Sequence, residues 1–130
     1  MVSHRILFMK ERRGHMPKRG DVWVVNFDPT IGSEIKKTRP AVILQNNIGN
    51  RYGAVTIVAA ISSHAGGDVY PTEVFANPPE GGLEVPSVVL LNQIRTVDKT
   101  RLIAHIGALK PTTMQAVDRA LAISVGLADV

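Results

Sequence analysis

The sequence predicts a mainly β domain: a small, strongly bent sheet or barrel of six or seven short strands, with one helix at the C-terminal end. Three observations carry this. Short runs of β-branched and aromatic residues recur along the chain, separated by Gly-, Pro- and Asn-rich punctuation. A helical period of apolar residues occurs only near the end. Finally, 130 residues with 45% hydrophobic and 20% charged content suit one packed domain and exclude a disordered chain. The chain has no Cys, which removes disulfide scaffolds, thiolate zinc sites and cysteine nucleophiles, and fits a reducing cytoplasm.

The elements follow in order. Asp21-Val22-Trp23-Val24-Val25-Asn26-Phe27 reads as a strand. Residues Asp28 to Arg39 hold Pro29, Gly32, Ser33 and two lysines without an apolar period, which predicts a long polar loop. Pro40 to Gln45 is a continuous apolar run, as expected of a strand buried on both faces. Residues Asn46 to Gly53 are dense in turn formers, Val55 to Ile61 gives another buried strand, and Ser62 to Asp68 a second polar loop. Thr72–Phe75, Ser87–Leu91, Gln93–Val97 and Leu102–Ile106 supply further short strands. Met114, Val117, Leu121 and Val125 fall on one face of a helix from about Thr112 to Val125, with Thr112 and Gln115 spaced as a capping box.

The formal charge of +4 is unevenly placed. Residues 1–15 carry Arg5, Lys10, Arg12 and Arg13 against Glu11, whereas residues 16–130 hold 11 basic and 10 acidic side chains and are nearly neutral. Net charge therefore says little about a nucleic-acid partner. The first 15 residues lack the apolar core of a secretion signal, and Met16-Pro17-Lys18-Arg19-Gly20 reads as a second, more natural start. Residues 1–15 are expected to be a flexible basic extension, an upstream start or a cloning remnant, ahead of a single domain over 16–130. No apolar run approaches the roughly 20 residues of a membrane span.

Most motifs with a known chemistry are missing: there is no P-loop, no Gly-x-Gly-x-x-Gly, no His-Glu-x-x-His and no Gly-x-Ser-x-Gly. What remains is the polar loop Gly32-Ser33-Glu34-Ile35-Lys36-Lys37-Thr38, which ends in Arg39 before Pro40. A residue before proline is biased to extended geometry, and the strand behind it gives a rigid base. Arg39 can then present its donor fork in a fixed direction, as phosphate recognition requires. Position alone fits equally well a surface arginine paired with Glu34.

The ordered pieces Lys18-Arg19-Gly20-Asp21-Val22, Gly32-Ser33-Glu34, Arg39-Pro40-Ala41-Val42, Gln45-Asn46-Asn47-Ile48-Gly49-Asn50, Val58-Ala59-Ala60-Ile61-Ser62 and Gln93-Ile94-Arg95-Thr96-Val97-Asp98 resemble the MazF/PemK-type toxins of toxin–antitoxin systems. The resemblance runs from about Lys18 to Val130. It implies a Src-homology-like barrel with appended helix, the MazF/PemK/CcdB-type toxin fold. It also implies a homodimer and a metal-independent, cofactor-free endoribonuclease that cuts single-stranded mRNA at a short motif. By the same resemblance Arg39 is the catalytic arginine, and Ser62 stands where the family has a threonine, retaining the hydroxyl. Glu34 is expected to support the site and help hold the arginine. Asn46, Gln93, Arg95 and Lys36 are expected to line the RNA groove.

The implied reaction is attack of the ribose 2′-OH on the adjacent phosphorus, leaving a 2′,3′-cyclic phosphate and a 5′-OH. A guanidinium holds its proton strongly and suits the equatorial oxygens of such a transition state, so Arg39 is read first as an electrostatic clamp, with proton transfer as a second role. His64, two residues beyond Ser62, is a rival for proton transfer, but an exposed loop histidine is the simpler reading. Ser63 ranks behind Ser62 because adjacent strand residues face opposite ways. Trp23 is expected in the core, and Tyr52 and Tyr70 are candidates for base stacking or for packing. The alternative function is a non-nucleolytic, topoisomerase-poisoning or other protein-binding module on the same fold. Either way the resemblance implies a cognate acidic antitoxin, whose disordered segment would contact Arg39, Arg95 and Lys36.

Overall fold

A computed structural model describes residues 16–130; the basic extension expected over residues 1–15 lies outside the described residues. Six strands, β1 (Asp21–Asn26), β2 (Thr38–Ile43), β3 (Val55–Ser63), β4 (Glu73–Ala76), β5 (Ser87–Asp98) and β6 (Leu102–Ala108), form one sheet. A short helix α1 (Asn47–Tyr52) joins β2 to β3, and α2 (Pro111–Ser124) closes the described fold. The strand order is β4-β5-β3-β2-β1-β6 and every pairing is antiparallel. The mainly β class with a C-terminal helix is the one expected.

Topology forces the sheet to curl. In a flat sheet β5 and β6 would stand four strand spacings apart, roughly 19 Å. Yet Asp98 and Leu102 are joined by a single 3-10 turn, Lys99–Arg101, which spans at most about 14 Å. The sheet therefore rolls until those ends meet. A break in β5 assists: between the pairs Ala59↔Ile94 and Ile61↔Val89, β3 advances two residues and β5 five. The extra residues around Asn92 kink the strand and sharpen its twist. Two strands were expected here, split at Asn92; the structure has one bulged strand.

Curling buries both faces of the central strands, which explains their unbroken apolar runs. Val22, Val42 and Ala59 form a cross-strand row on one face, with Ile61, Val89 and Leu91 alongside, and α2 covers them with Met114, Val117 and Ala120. Trp23, Ala41, Val58 and Ala60 face the opposite way, into a second core with Val25, Phe27, Ile43, Val97 and Leu102. Burying a side chain such as Phe27 contributes about 1.5–3 kcal/mol, so these two cores dominate the stabilisation.

Two local expectations need correction. The turn-rich segment after β2 is helical, because the Asn46 side chain accepts the Gly49 N–H at 2.8 Å and caps α1. Helix α2 starts at Pro111 with Lys110 as its N-cap, so Thr112 lies inside the first turn and forms no capping box. Instead, the Glu80 carboxylate accepts the Lys110 N–H at 2.9 Å. Among the described residues no helix is long and apolar enough to cross a membrane.

Candidate functional site

Both leading candidates lie on strands, where loops were expected. Arg39 is the second residue of β2 and pairs with Val25 of β1; Ser62 is the penultimate residue of β3 and pairs with Val88 of β5. The β2–β3 register pairs Ala41 with Ala60, and continuing it two residues sets Arg39 opposite Ser62. Both side chains are half-buried and line one cleft of 590 Å³. Strand backbone on either side makes this juxtaposition rigid.

The other walls of the cleft are informative. Lys37 and Thr38 come from the end of the β1–β2 loop, Ser63 and Ser87 from facing strand ends, and Leu83, Glu84 and Val85 from the segment before β5. Lys37 holds a left-handed backbone, φ 66°, that L-residues seldom adopt. Its N–H bonds the Asp28 carboxylate at 2.9 Å and its carbonyl accepts the Phe27 N–H at 3.0 Å. These bonds fix the backbone just before β2 and so aim the residues that follow. The Arg39 Nε–H donates to the Lys36 carbonyl at 2.9 Å, leaving the two terminal nitrogens of the fork without a protein acceptor among the described residues. The hydroxyls of Ser62 and Ser63 and the carboxylate of Glu84 likewise have no hydrogen-bond partner among the described residues. The cleft thus gathers two cations, several hydroxyls and one carboxylate, a donor-rich surface suited to an oxyanion ligand.

Five expected site residues lie outside the lining of this cleft. Glu34 does not hold Arg39: its carboxylate accepts the Ile31 N–H at 2.6 Å and tightens the β1–β2 loop on itself. Gln93 reaches the same loop, its Oε1 accepting the Ile35 N–H at 3.2 Å and its Nε2 donating to the Ser33 carbonyl at 3.4 Å. Arg95 donates to the Phe27 carbonyl at 2.6 Å and its guanidinium lies 6.0 Å from the Phe27 ring centroid. With Pro29, Ile31, Ile35 and Ile94 these residues line a separate cavity of 330 Å³ under the loop. Asn46 caps α1 and lines neither cavity. Lys36 is exposed and meets the site through its carbonyl; its neighbour Lys37 is the lysine in the cleft.

His64 is turned away from the cleft. Its ring meets Phe75 edge-on at 5.9 Å and its Nε2 lies 3.3 Å from the Gly67 carbonyl. Trp23 is fully buried, whereas Tyr52 and Tyr70 are exposed, with Arg51 lying 5.3 Å over the Tyr52 ring. Sequence reasoning missed Glu84, Ser87 and Thr38. Nothing in their local sequence marks them; only the curl of the sheet brings the start of β5 against the start of β2. Among the described residues no three His, Cys, Asp or Glu side chains are grouped to hold a metal ion.

A curled six-stranded sheet, a packed terminal helix and a cationic, hydroxyl-lined cleft define a small β domain with one donor-rich cleft. Comparison with known proteins gives the particular family. Residues 18–125 match the family described as PemK-like, MazF-like toxin of type II toxin–antitoxin systems. This chain belongs to that family. It is 45% identical over 112 residues to Endoribonuclease EndoA of Bacillus subtilis (strain 168), covering 86% of this chain and 97% of that protein. Among solved structures it is similar to MazF from Deinococcus radiodurans, with a TM-score of 0.74 and 26% identity over 86% of this chain and 98% of that one. It is also similar to an endoribonuclease from a mycobacterial species in complex with its cognate antitoxin. There the TM-score is 0.71 and the identity 26%, over 86% of this chain and 97% of that one.

Proposed function

We propose that this protein is the toxin of a type II toxin–antitoxin pair and acts as a metal-independent endoribonuclease on single-stranded mRNA. The observation that carries the reading is the convergence of Arg39 and Ser62, from two adjacent strands, on one cleft. In the proposed reaction the ribose 2′-oxygen attacks phosphorus and the 5′-oxygen departs. The Arg39 fork bridges two non-bridging oxygens as charge accumulates on them, and the Ser62 hydroxyl donates a further hydrogen bond. Groups fixed on strands need little reorganisation at that moment, which is where electrostatic catalysis gains its effect. Lys37 adds a second positive charge at the cleft mouth. Gln93, Arg95 and Glu34 act on the β1–β2 loop, whose shape then bears on which bases enter.

The partners follow from the same reading: a second copy of the chain, and a cognate antitoxin whose acidic segment covers the cations of the cleft in the cytoplasm. Its association should weaken as salt rises. The test is a long RNA of known sequence incubated with the protein in excess EDTA, with cuts mapped by primer extension and their ends analysed. The expected result is discrete cuts at one short motif, with 2′,3′-cyclic phosphate and 5′-OH ends. RNA left intact across many sequences would overturn the nuclease and favour a protein-binding toxin on the same fold.

A further inference from the structure

The proposed cleavage requires a proton acceptor. The 2′-hydroxyl must lose its proton as the O2′–P bond forms, and an arginine is protonated throughout the accessible pH range. Of the described ionisable side chains lining the Arg39–Ser62 cleft, Lys37 and Arg39 are cationic, and among the described residues Glu84 is the only carboxylate there. Among the described residues no histidine lines it, and His64 packs on Phe75. Glu34 lines the other cavity, and its carboxylate is engaged with the Ile31 N–H.

The segment that carries Glu84 is fixed on both sides. Gly82, at φ 74°, lies so close to β6 that a Cβ there would stand 2.1 Å from the Ile106 carbonyl oxygen. A Cβ on Gly107 would in turn stand 2.5 Å from the Gly81 backbone. Only glycine permits this approach of the segment to the strand. Leu83, the residue before Glu84, is buried, and its N–H bonds the Glu80 carbonyl at 3.1 Å. After it, the Ser87 hydroxyl donates to the Val85 carbonyl at 2.8 Å, where β5 begins. Glu84 therefore stands on an anchored backbone with an exposed carboxylate that has no partner among the described residues. A carboxylate left unpaired in a cleft that two cations also line is available to a ligand.

We infer that Glu84 is the general base of the cleft, accepting the 2′-hydroxyl proton; this deepens the ribonuclease reading and rests on it. The O2′–P bond forms and the P–O5′ bond breaks. The 2′ proton passes to the Glu84 carboxylate, the departing 5′-oxygen takes a proton from water, and Glu84 then returns its proton to solvent. Arg39 holds the charge on the phosphate oxygens and moves no proton.

The test compares wild type, Glu84→Gln and Glu84→Asp. Single-turnover cleavage is measured across pH, and binding is measured with a 2′-O-methyl RNA that has no proton to lose. Because Glu84 is exposed, neither variant should lower the melting temperature. The expected result is a fall of about 10²–10⁴-fold in rate for Glu84→Gln. Its affinity for the 2′-O-methyl RNA should stay unchanged, and the acidic limb of the wild-type pH–rate profile should vanish. Glu84→Asp should retain that limb at reduced rate. A Glu84→Gln enzyme within threefold of wild type, or one with the same pH profile, would overturn the assignment while leaving the nuclease intact. Parallel loss of binding and cleavage would do so too. Wild-type protein that leaves RNA uncut would overturn the nuclease reading itself, and the general base with it.

Discussion

The two cavities beside the β1–β2 loop are built from similar residues and differ in what those residues are bonded to. In the Arg39–Ser62 cleft, Ser62, Ser63 and Glu84 have no protein partner among the described residues, and Arg39 uses only Nε. In the cavity under the loop, Glu34, Gln93 and Arg95 are all committed to main-chain groups of residues 27–35. A hydrogen bond to a protein partner must be broken before the same group can serve a ligand, and the group left behind costs about 1–3 kcal/mol if it stays unsatisfied. The first cavity is therefore poised for a ligand, and the second holds the loop that supplies Lys37, Thr38 and Arg39 to the first.

Substitutions should separate the two regions. The largest effect is expected at Arg39. Arg39→Ala should lower single-turnover RNA cleavage by roughly 10²–10³-fold or more with an unchanged melting temperature. Arg39→Lys, which retains charge and loses the fork, should recover only a small part of that. Near-normal rates in the lysine variant would refute the clamp. Ser62→Ala comes next, with a rate loss of about 10–10²-fold, because one neutral donor is worth less than a charged fork. Ser62→Thr should remain active, as the hydroxyl is conserved in kind.

In the second region the expected order of effects reverses. Gln93→Ala should cost about 1–2 kcal/mol of stability, seen as a melting temperature lower by a few degrees. It should also speed amide exchange over residues 31–37. Its chemical step should fall far less than that of Arg39→Ala, and an equal fall would erase the distinction between the cavities.

The smallest effect concerns Lys99, which is 1% exposed and donates to the Asn50 carbonyl. Burial lowers its pKa from the ordinary 10.5. Just below 10.5 the unfolded chain binds a proton that the folded chain has released, so stability rises with pH through that window and the cost is constant below it. The melting temperature of wild type relative to Lys99→Met should therefore climb as pH approaches 10.5. A constant difference would mean that Lys99 titrates alike in the folded and unfolded chains.

Much of this was legible in the sequence. The continuous apolar run from Pro40 to Gln45 reported a strand buried on both faces, the β-branched and aromatic residues around Trp23 reported a strand, and the spacing of Met114 and Val117 reported the packed helix. Arg39 and Ser62 were marked by resemblance, and local pattern alone left Arg39 indistinguishable from a surface cation. The rest depends on tertiary geometry. Gln93 and Arg95 look like groove residues in sequence because both are polar and strand-borne; only the bulge in β5 shows that they face the loop backbone. Glu84 sits in an unmarked Leu-Glu-Val stretch and gains meaning because two glycines let its segment close on β6.

The most direct measurement pairs Arg39→Ala with Arg95→Ala, recording RNA cleavage in EDTA and thermal melting for both. The account predicts that Arg39→Ala melts like wild type and cuts at least about 10²-fold more slowly. Arg95→Ala should melt lower, having lost its bond to Phe27, while still cutting at the wild-type motif. Cleavage near the wild-type rate in Arg39→Ala, or its loss in Arg95→Ala at full stability, would contradict the assignment of chemistry to the first cavity and scaffolding to the second.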